Sequence, residues 1–421
     1  MPLPSTLSEW LALLEARPPV AIDLGLERTR MVWERLGQPR PATHLFTVAG
    51  TNGKGSTTAY IGAMLKALGY RCGSYTSPHL FRYNERVEVQ GDLVSDQQLV
   101  DAFAQVEAVR GTVSLTYFEF GTLAAFLLMS QAKLDFAVLE IGLGGRLDAV
   151  NILDTDCAVI TTIGLDHQEF LGEDRDSIGR EKAGIIRPGK PVICGDPEPP
   201  GSLLRAAALA GGAMLRIGHD YGIKADGSEF SWWYGTAQLK LPPPPMTGMH
   251  QADNVATALA ALATLMPEAL DAPDLLRRGL KAVRLPGRLQ QCDRCPRVWL
   301  DVGHNPHAAE AVASALLALN LRPRFCVLAM LRDKDAAGVA KILDECVQDW
   351  FCAGLEGERG RTGLELEQEI VKVIGPSRVK VFAKVSHALE SALEQSGPDD
   401  SILVFGSFVT TAQAAAFLAG Y

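Results

Sequence analysis

A chain of 421 residues exceeds what one typical core requires, and the length predicts two domains. With 47% hydrophobic and 21% charged residues the composition is globular, which excludes a disordered chain. A formal charge of -9 argues against non-specific attraction to nucleic acid, so anionic ligands must be met by local groups.

Residues 1–10 lack a basic segment followed by an apolar core and a small-residue cleavage site. The most apolar stretch, 120–129, falls well short of the roughly 20 residues that span a membrane. The expectation is a cytoplasmic protein with neither membrane nor nucleic acid as partner. Eight cysteines are too sparse for a disulfide scaffold. Cys292-Asp293-Arg294-Cys295 has the spacing of half a zinc site, but no second pair or His-x3-His follows, and reduced thiols are the simpler reading.

Apolar runs alternate with helical periodicity along the chain. A strand at 44–49 precedes a helix at 57–68, a strand at 71–76, helices at 97–109 and 122–133, and a strand at 136–141. Strands at 158–163 and 191–194 flank a charged and polar stretch. Such alternation predicts a mostly parallel sheet covered by helices, with ligands at the carboxyl ends of its strands. Over 215–241 the helical period fades, and Phe230, Trp232, Trp233 and Tyr234 suggest a small β-rich extension before the prolines at 242–245. A helix fits 253–265. The irregular stretch 285–296 reads as a linker between one domain at 1–284 and another at 297–421. There the alternation restarts, with strands at 298–302, 325–330, 350–353, 379–382 and 402–405. Helices are expected at 308–319, 338–347, 364–374, 388–395 and 410–418.

Chemistry concentrates at the first strand's end. Gly50-Thr51-Asn52-Gly53-Lys54-Gly55-Ser56-Thr57 joins an apolar strand to a helix through a glycine-rich turn, which is how backbone N–H groups are brought to phosphate oxygens. Lys54 can neutralise terminal phosphates, and Ser56 or Thr57 can reach a magnesium ion. The spacing is shorter than the common Gly-x4-Gly-Lys-Ser/Thr loop. The rival reading is an ordinary strand-to-helix turn with a solvated lysine. Glu140 ends a strand before Gly142-Leu143-Gly144-Gly145 and offers a carboxylate to a hard cation; alone it would serve equally as a solvated or capping group. His167, after Asp166, is either a cation ligand or a structural histidine, since imidazole is an unusual magnesium ligand. Lys182 sits at a helix-like position, and Ser77 follows another strand, where either could be a routine surface group. Asp301 and His304 close a strand in the second half, Asn305-Pro306 suits a helix cap, and Arg288 and Asn254 could meet a nucleotide.

Together these motifs resemble the folylpolyglutamate synthase family of the Mur ligase superfamily, over nearly the whole chain. The resemblance rests on 22–28, the glycine loop, Ser77-Pro78-His79-Leu80, 115–122, 139–149, Leu165-Asp166-His167, 179–185, Leu285-Pro286-Gly287-Arg288 and 301–308. It implies an ATPase-like domain followed by a smaller Rossmann-like domain, acting as an ATP-dependent ligase. By resemblance, Thr51, Asn52, Gly53, Lys54, Gly55 and Ser56, with Asn254, Arg288 and Asp301, meet ATP. Ser77, Glu140 and His167 match magnesium positions, usually for two ions, and Lys182 matches a lysine carbamylated by carbon dioxide. Ala21, Ile22, Asp23 and Leu24, Thr116, Tyr117, Phe118 and Glu119, and Leu147, Asp148 and Ala149 match the pterin surroundings. His304 and Ser407 are candidates on the amino-acid side. The implied partners are dihydropteroate, reduced folates and L-glutamate, acting on a monomer. Two other readings compete: a ligase for a nucleotide-linked cell-wall precursor, and a nucleotide-controlled switch, although the Asn-Lys-x-Asp guanine signature is absent.

Overall fold

Residues 3–17 and 23–420 are described by the structure, a computed structural model. Two helices, α1 (Leu7–Ala16) and α2 (Glu27–Arg35), precede the first strand. The chain continues through β1 (Ala42–Ala49), α3 (Lys54–Ala67), β2 (Cys72–Tyr75), β3 (Val87–Val89), β4 (Asp92–Leu93), α4 (Asp96–Arg110), α5 (Tyr117–Gln131) and β5 (Leu134–Glu140). Next come β6 (Cys157–Ile160), α6 (Gln168–Leu171), α7 (Arg175–Ala183), β7 (Val192–Cys194), α8 (Gly201–Ala210) and β8 (Met214–Arg216). A meander of β9 (Tyr221–Asp226), β10 (Glu229–Tyr234) and β11 (Ala237–Leu241) leads to α9 (Met249–Leu265) and α10 (Pro273–Ala282). The remainder is β12 (Gln290–Gln291), β13 (Val298–Leu300), α11 (Pro306–Ala318), β14 (Phe325–Leu328), α12 (Ala336–Leu343), β15 (Asp349–Ala353), α13 (Gly363–Ile374), β16 (Val379–Phe382), α14 (Val385–Gln395), β17 (Ile402–Phe405) and α15 (Phe408–Gly420).

Two units result. The first comprises Met1–Ile163, Glu173–Pro243 and Ala252–Val283; the second comprises Gly164–Gly172, Pro244–Gln251 and Arg284–Tyr421. The segment 285–296, expected as a linker, falls within the second unit, where Gln290 pairs with Leu300.

The first unit is built on eight strands in the order β4-β3-β2-β5-β1-β6-β7-β8. From β2 to β8 every pairing is parallel, and β3 and β4 add an antiparallel edge. β5, β1 and β6 are mostly apolar and, apart from Thr43, His44 and Asp135, buried, because helices cover a parallel sheet on both faces. Register then does the positioning: Val48 lies opposite Glu140, Ala49 opposite Ile160, and Tyr75 opposite Leu139. Consequently β2, β5, β1 and β6 all finish at one edge, and the loops after them share it. The expected β-rich extension is the antiparallel sheet β11-β10-β9, fastened to α9 by the buried Trp232, whose indole N–H donates to Ala256 O at 3.2 Å.

The second unit has the order β12-β13-β17-β14-β15-β16, parallel except for β12. Its core is split by the strands' two-residue period. Cys326 and Leu328 of β14 pack with Leu316, Val339 and Leu366, whereas Phe325 and Val327 pack with Leu389, Ala414 and Leu418.

Among the described residues no helix is long and apolar enough to cross a membrane. The sequence reading passed over α1, α2, α8, α10 and the short β3 and β4, and it started α5 five residues late. Thr116 is the reason: its hydroxyl accepts from Glu119 N while Glu119 accepts from Thr116 N, a capping box that starts the helix at Tyr117.

Candidate active site

The glycine loop lies between β1 and α3 at the shared edge. Gly50 (φ +153°) and Gly53 (φ +85°) both take backbone conformations that side chains avoid. A Cβ on Gly53 would sit 2.4 Å from Asn254 Oδ1, so the loop is pressed against α9 as well as curled. Gly53 has no side chain to cap α3, and a helix begun in this way is suited to receive an anion at its N-terminus. Lys54 folds back, donating to Gly50 O at 3.0 Å and Thr51 O at 3.1 Å. Thr161 and Thr162, just past β6, hold the loop by donating to Asn52 O at 2.6 and 3.2 Å. Ser56 and Asn254 are buried beside it, with Thr57 Oγ1 3.5 Å from Asn254 Oδ1.

At the neighbouring strand ends, Glu140 is buried and its Oε2 accepts from Ser77 N at 3.0 Å. The structure thus brings together two of the three residues matched to magnesium. The loop after β5 rests on α7: Arg146 N donates to Glu181 O at 2.8 Å, and Asn151 Nδ2 to Gly184 O at 3.0 Å. Lys182, on that helix, is buried. Asp148 is buried too; its carboxylate accepts from Leu143 N at 2.8 Å and Val150 N at 2.9 Å. Burial pushes its carboxyl up to about 7, against those N–H donors and the charge of Lys54.

The pterin-matched segments converge through a residue to which the sequence assigned no role. Arg28 donates to Asp23 Oδ2 at 2.5 Å, to Asp23 O at 2.9 Å and to Glu119 Oε1 at 3.0 Å. Glu119 also accepts from Thr29 Oγ1 at 3.2 Å. One guanidinium therefore ties the stretch beginning at Asp23 and Leu24 to the N-terminus of α5. Phe118 lies against Gly142 and Tyr75, and Leu147 and Ala149 flank Asp148. Ala21 and Ile22 lie outside the described residues.

In the second unit a different cluster forms. Asp166 accepts from Lys334 Nζ at 2.6 Å and from Asn305 Nδ2 at 3.0 Å, with His304 Nε2 at 3.4 Å. Burial would raise its carboxyl, but His304, His167 and Lys334 hold it far below the ordinary range. His167 takes a left-handed conformation (φ +49°), and its Nε2 lies 3.2 Å from Lys334 Nζ. Its imidazole is lowered to about 4, chiefly by burial. The expected cation ligand is thus paired with a lysine. Among the described residues no group of three His, Cys, Asp or Glu side chains is arranged to hold a metal. Lys334 itself escaped the sequence reading, although its place in Asp333-Lys334-Asp335, shortly after a parallel strand, was a signal.

Asp301 is buried and accepts from Leu289 N and Gly303 N, each at 2.7 Å. Burial raises its carboxyl against those donors and the charge of Arg288, whose guanidinium lies 5.4 Å from the Phe408 ring centroid. His304 Nδ1 is 3.0 Å from Val302 O. Ser407 accepts from Thr410 N at 3.0 Å and is 2.7 Å from Thr410 Oγ1, so its hydroxyl is engaged in starting α15.

A glycine cradle beside an acidic strand end, followed by a second doubly wound unit, defines an ATP-dependent ligase of the Mur ligase family, to which the chain belongs. Residues 48–262 match the Mur ligase middle domain, and 287–408 match the Mur ligase glutamate ligase domain. Within that family the chain belongs with the dihydrofolate synthase/folylpolyglutamate synthases. It is 45% identical to the Escherichia coli enzyme of that name over 97% of this chain and 94% of the relative. Identity to the Haemophilus influenzae enzyme is 39%, over 97% of each chain. Among solved structures, E. coli FolC in complex with DHPP and ADP superposes with a TM-score of 0.92 at 43% identity, covering 100% of this chain and 99% of that one. The Yersinia pestis bifunctional enzyme described with Mn, AMPPNP and L-glutamate bound gives 0.89 at 44% identity, covering 99% of each.

Proposed function

We propose that this enzyme joins L-glutamate to 7,8-dihydropteroate, forming dihydrofolate, and adds further glutamates to reduced folates, consuming ATP and releasing ADP and phosphate. The observation that carries the reading is full-length similarity to enzymes of that double name, together with a glycine cradle whose lysine and N–H groups suit a triphosphate. In the first step the substrate carboxylate attacks the γ-phosphorus, the bond to the bridging oxygen breaks, and ADP leaves behind an acyl phosphate. The glutamate amine then adds to the carbonyl, loses a proton, and expels phosphate as the amide forms.

Thr51 to Ser56 hold the phosphates, and Lys54 swings from its own loop to the γ-phosphate, where negative charge spreads in the transition state. Asn254, Arg288 and Asp301 contact the rest of the nucleotide. Glu140 and Ser77 suit a hard cation, offering a buried carboxylate and a hydroxyl at one sheet edge, and His167 is the third residue assigned to it by resemblance. Magnesium bound there supplies charge neutralisation for phosphoryl transfer. Carbamylation of Lys182 adds carbon dioxide to its neutral amine with loss of a proton, turning a buried cation into an anionic oxygen donor. Asp23, Leu24, 116–119 and 147–149, with Ala21 and Ile22, surround the pterin. His304 and Ser407 serve the glutamate side. In this reading 1–284 handles ATP and pterin, 297–421 handles glutamate, and 285–296 joins them in a cytoplasmic monomer.

The test is a paired assay of the purified enzyme with dihydropteroate and with a monoglutamyl reduced folate, each glutamylated product being weighed by mass spectrometry. Substrate labelled with ¹⁸O in its carboxylate should pass one labelled oxygen into the released phosphate. Unlabelled phosphate would rule out the acyl phosphate, and a product from a muramoyl precursor instead would favour the cell-wall reading.

A further inference from the structure

Arg86 is buried at 8% exposure, and its guanidinium has no ion-pair partner among the described residues. Among the described residues its single side-chain hydrogen bond runs from Nε to His79 Nδ1, at 3.0 Å. The adjacent carboxylate of Glu85 is fully committed elsewhere, accepting from the backbone N–H groups of Leu80, Phe81 and Arg82. Two tyrosine rings bracket the cation, with its central carbon 5.1 Å from the Tyr83 centroid and 5.7 Å from that of Tyr117. Neither Nη1 nor Nη2 is a buried atom lacking a partner, so both terminal nitrogens reach solvent.

Water-poor surroundings make an uncompensated charge costly, and π faces offset only part of that cost. The two open nitrogens form the planar fork that matches a carboxylate. The place is also informative, all within the first unit. Tyr117 begins the helix whose first turn is assigned to the pterin side. His79 is two residues past Ser77, whose N–H binds Glu140 at the phosphoryl-transfer end. Arg86 therefore stands between the two ends of an extended acid substrate.

Resting on the proposed function, the chemistry narrows further. Dihydropteroate carries one carboxylate, which must be free to attack phosphate. A folate that already bears glutamate carries a second, the α-carboxylate, which does not react. We propose that Arg86 is a specificity-determining residue that grips this unreactive α-carboxylate, framed by Tyr83 and Tyr117, and so serves chain extension more than the first ligation.

Steady-state kinetics of Arg86→Met with both substrates tests this. KM for the monoglutamyl reduced folate should rise roughly 10- to 100-fold more than KM for dihydropteroate, as expected for loss of a charged hydrogen-bonded pair. Arg86→Lys should recover part of that difference. A second arm needs no variant: the α-carboxamide of the same folate should bind the unmodified enzyme at least about 10-fold more weakly than the acid. Equal losses on both substrates, or equal binding of acid and amide, overturn the proposal. Absence of turnover of either substrate by the unmodified enzyme would instead overturn the functional reading, and this proposal with it.

Discussion

The Lys54 ammonium rests on the carbonyls of Gly50 and Thr51, at 3.0 and 3.1 Å, and in the proposed mechanism it leaves them for the γ-phosphate. Those bonds keep a cation in place until phosphate competes for it. Lys54→Ala should leave the circular-dichroism spectrum intact and lower kcat roughly 10²- to 10³-fold, the usual effect of deleting a group that stabilises developing charge. Retained turnover would refute that role. Asp148 offers a pH test on the ligand-free protein. With its folded pKa raised to about 7, the protonated form is favoured by folding. That contribution is complete below the ordinary Asp range and is lost as pH rises through about 7. Asp148→Asn cannot ionise, so its Tm relative to the unmodified protein should climb between about pH 4 and pH 7 and level off above. Parallel Tm curves would contradict the raised value.

Helix termini carry much of the construction. Glu119 closes the capping box of α5 and accepts from Arg28 and Thr29, so Glu119→Ala removes a cap and one of the two carboxylates paired with Arg28. The expected loss is roughly 2–4 kcal/mol by chemical denaturation, with Thr116→Ala costing only about 1 kcal/mol because the ion pair survives. A similar clamp joins α1 to α4, where Glu107 accepts from Arg17 and Arg110. Burial would raise the Glu107 carboxyl, but the two guanidiniums hold it down at about 2. Its stabilisation is therefore present above the ordinary Glu range and lost as pH falls through about 2. Glu107→Gln should lower Tm at neutral pH and match the unmodified protein near pH 2, and a deficit that persists in acid would show another cause.

For the whole molecule, the assignment of Gly164–Gly172 to the second unit has a consequence. Lys334 is buried, and its carboxylate partner Asp166 comes from far upstream in the chain. A fragment covering 284–421 would keep the lysine and its second partner Asp333, 3.3 Å away, but lose the nearer and more buried acid, at a cost of about 1–3 kcal/mol. Lys334→Met should stabilise that fragment in urea melts while failing to stabilise the full chain. The opposite ranking would mean that the pair contributes little.

The alternation of apolar runs and helical periods determined the two doubly wound sheets, because helices and strands bury their faces with different periods. The glycine loop and Glu140 were equally legible, since loops after parallel strands in one sheet emerge at one edge. Local signals that went unused, such as the Thr116/Glu119 capping box, were present as well. Distant pairings were not. Arg28 bridging Asp23 to Glu119, Lys334 answering Asp166 and His167, and Arg86 standing between two tyrosines each join segments whose meeting depends on register and packing. Periodicity fixes which face a residue occupies; only the folded chain decides which distant charge it meets there, because that choice depends on three-dimensional proximity.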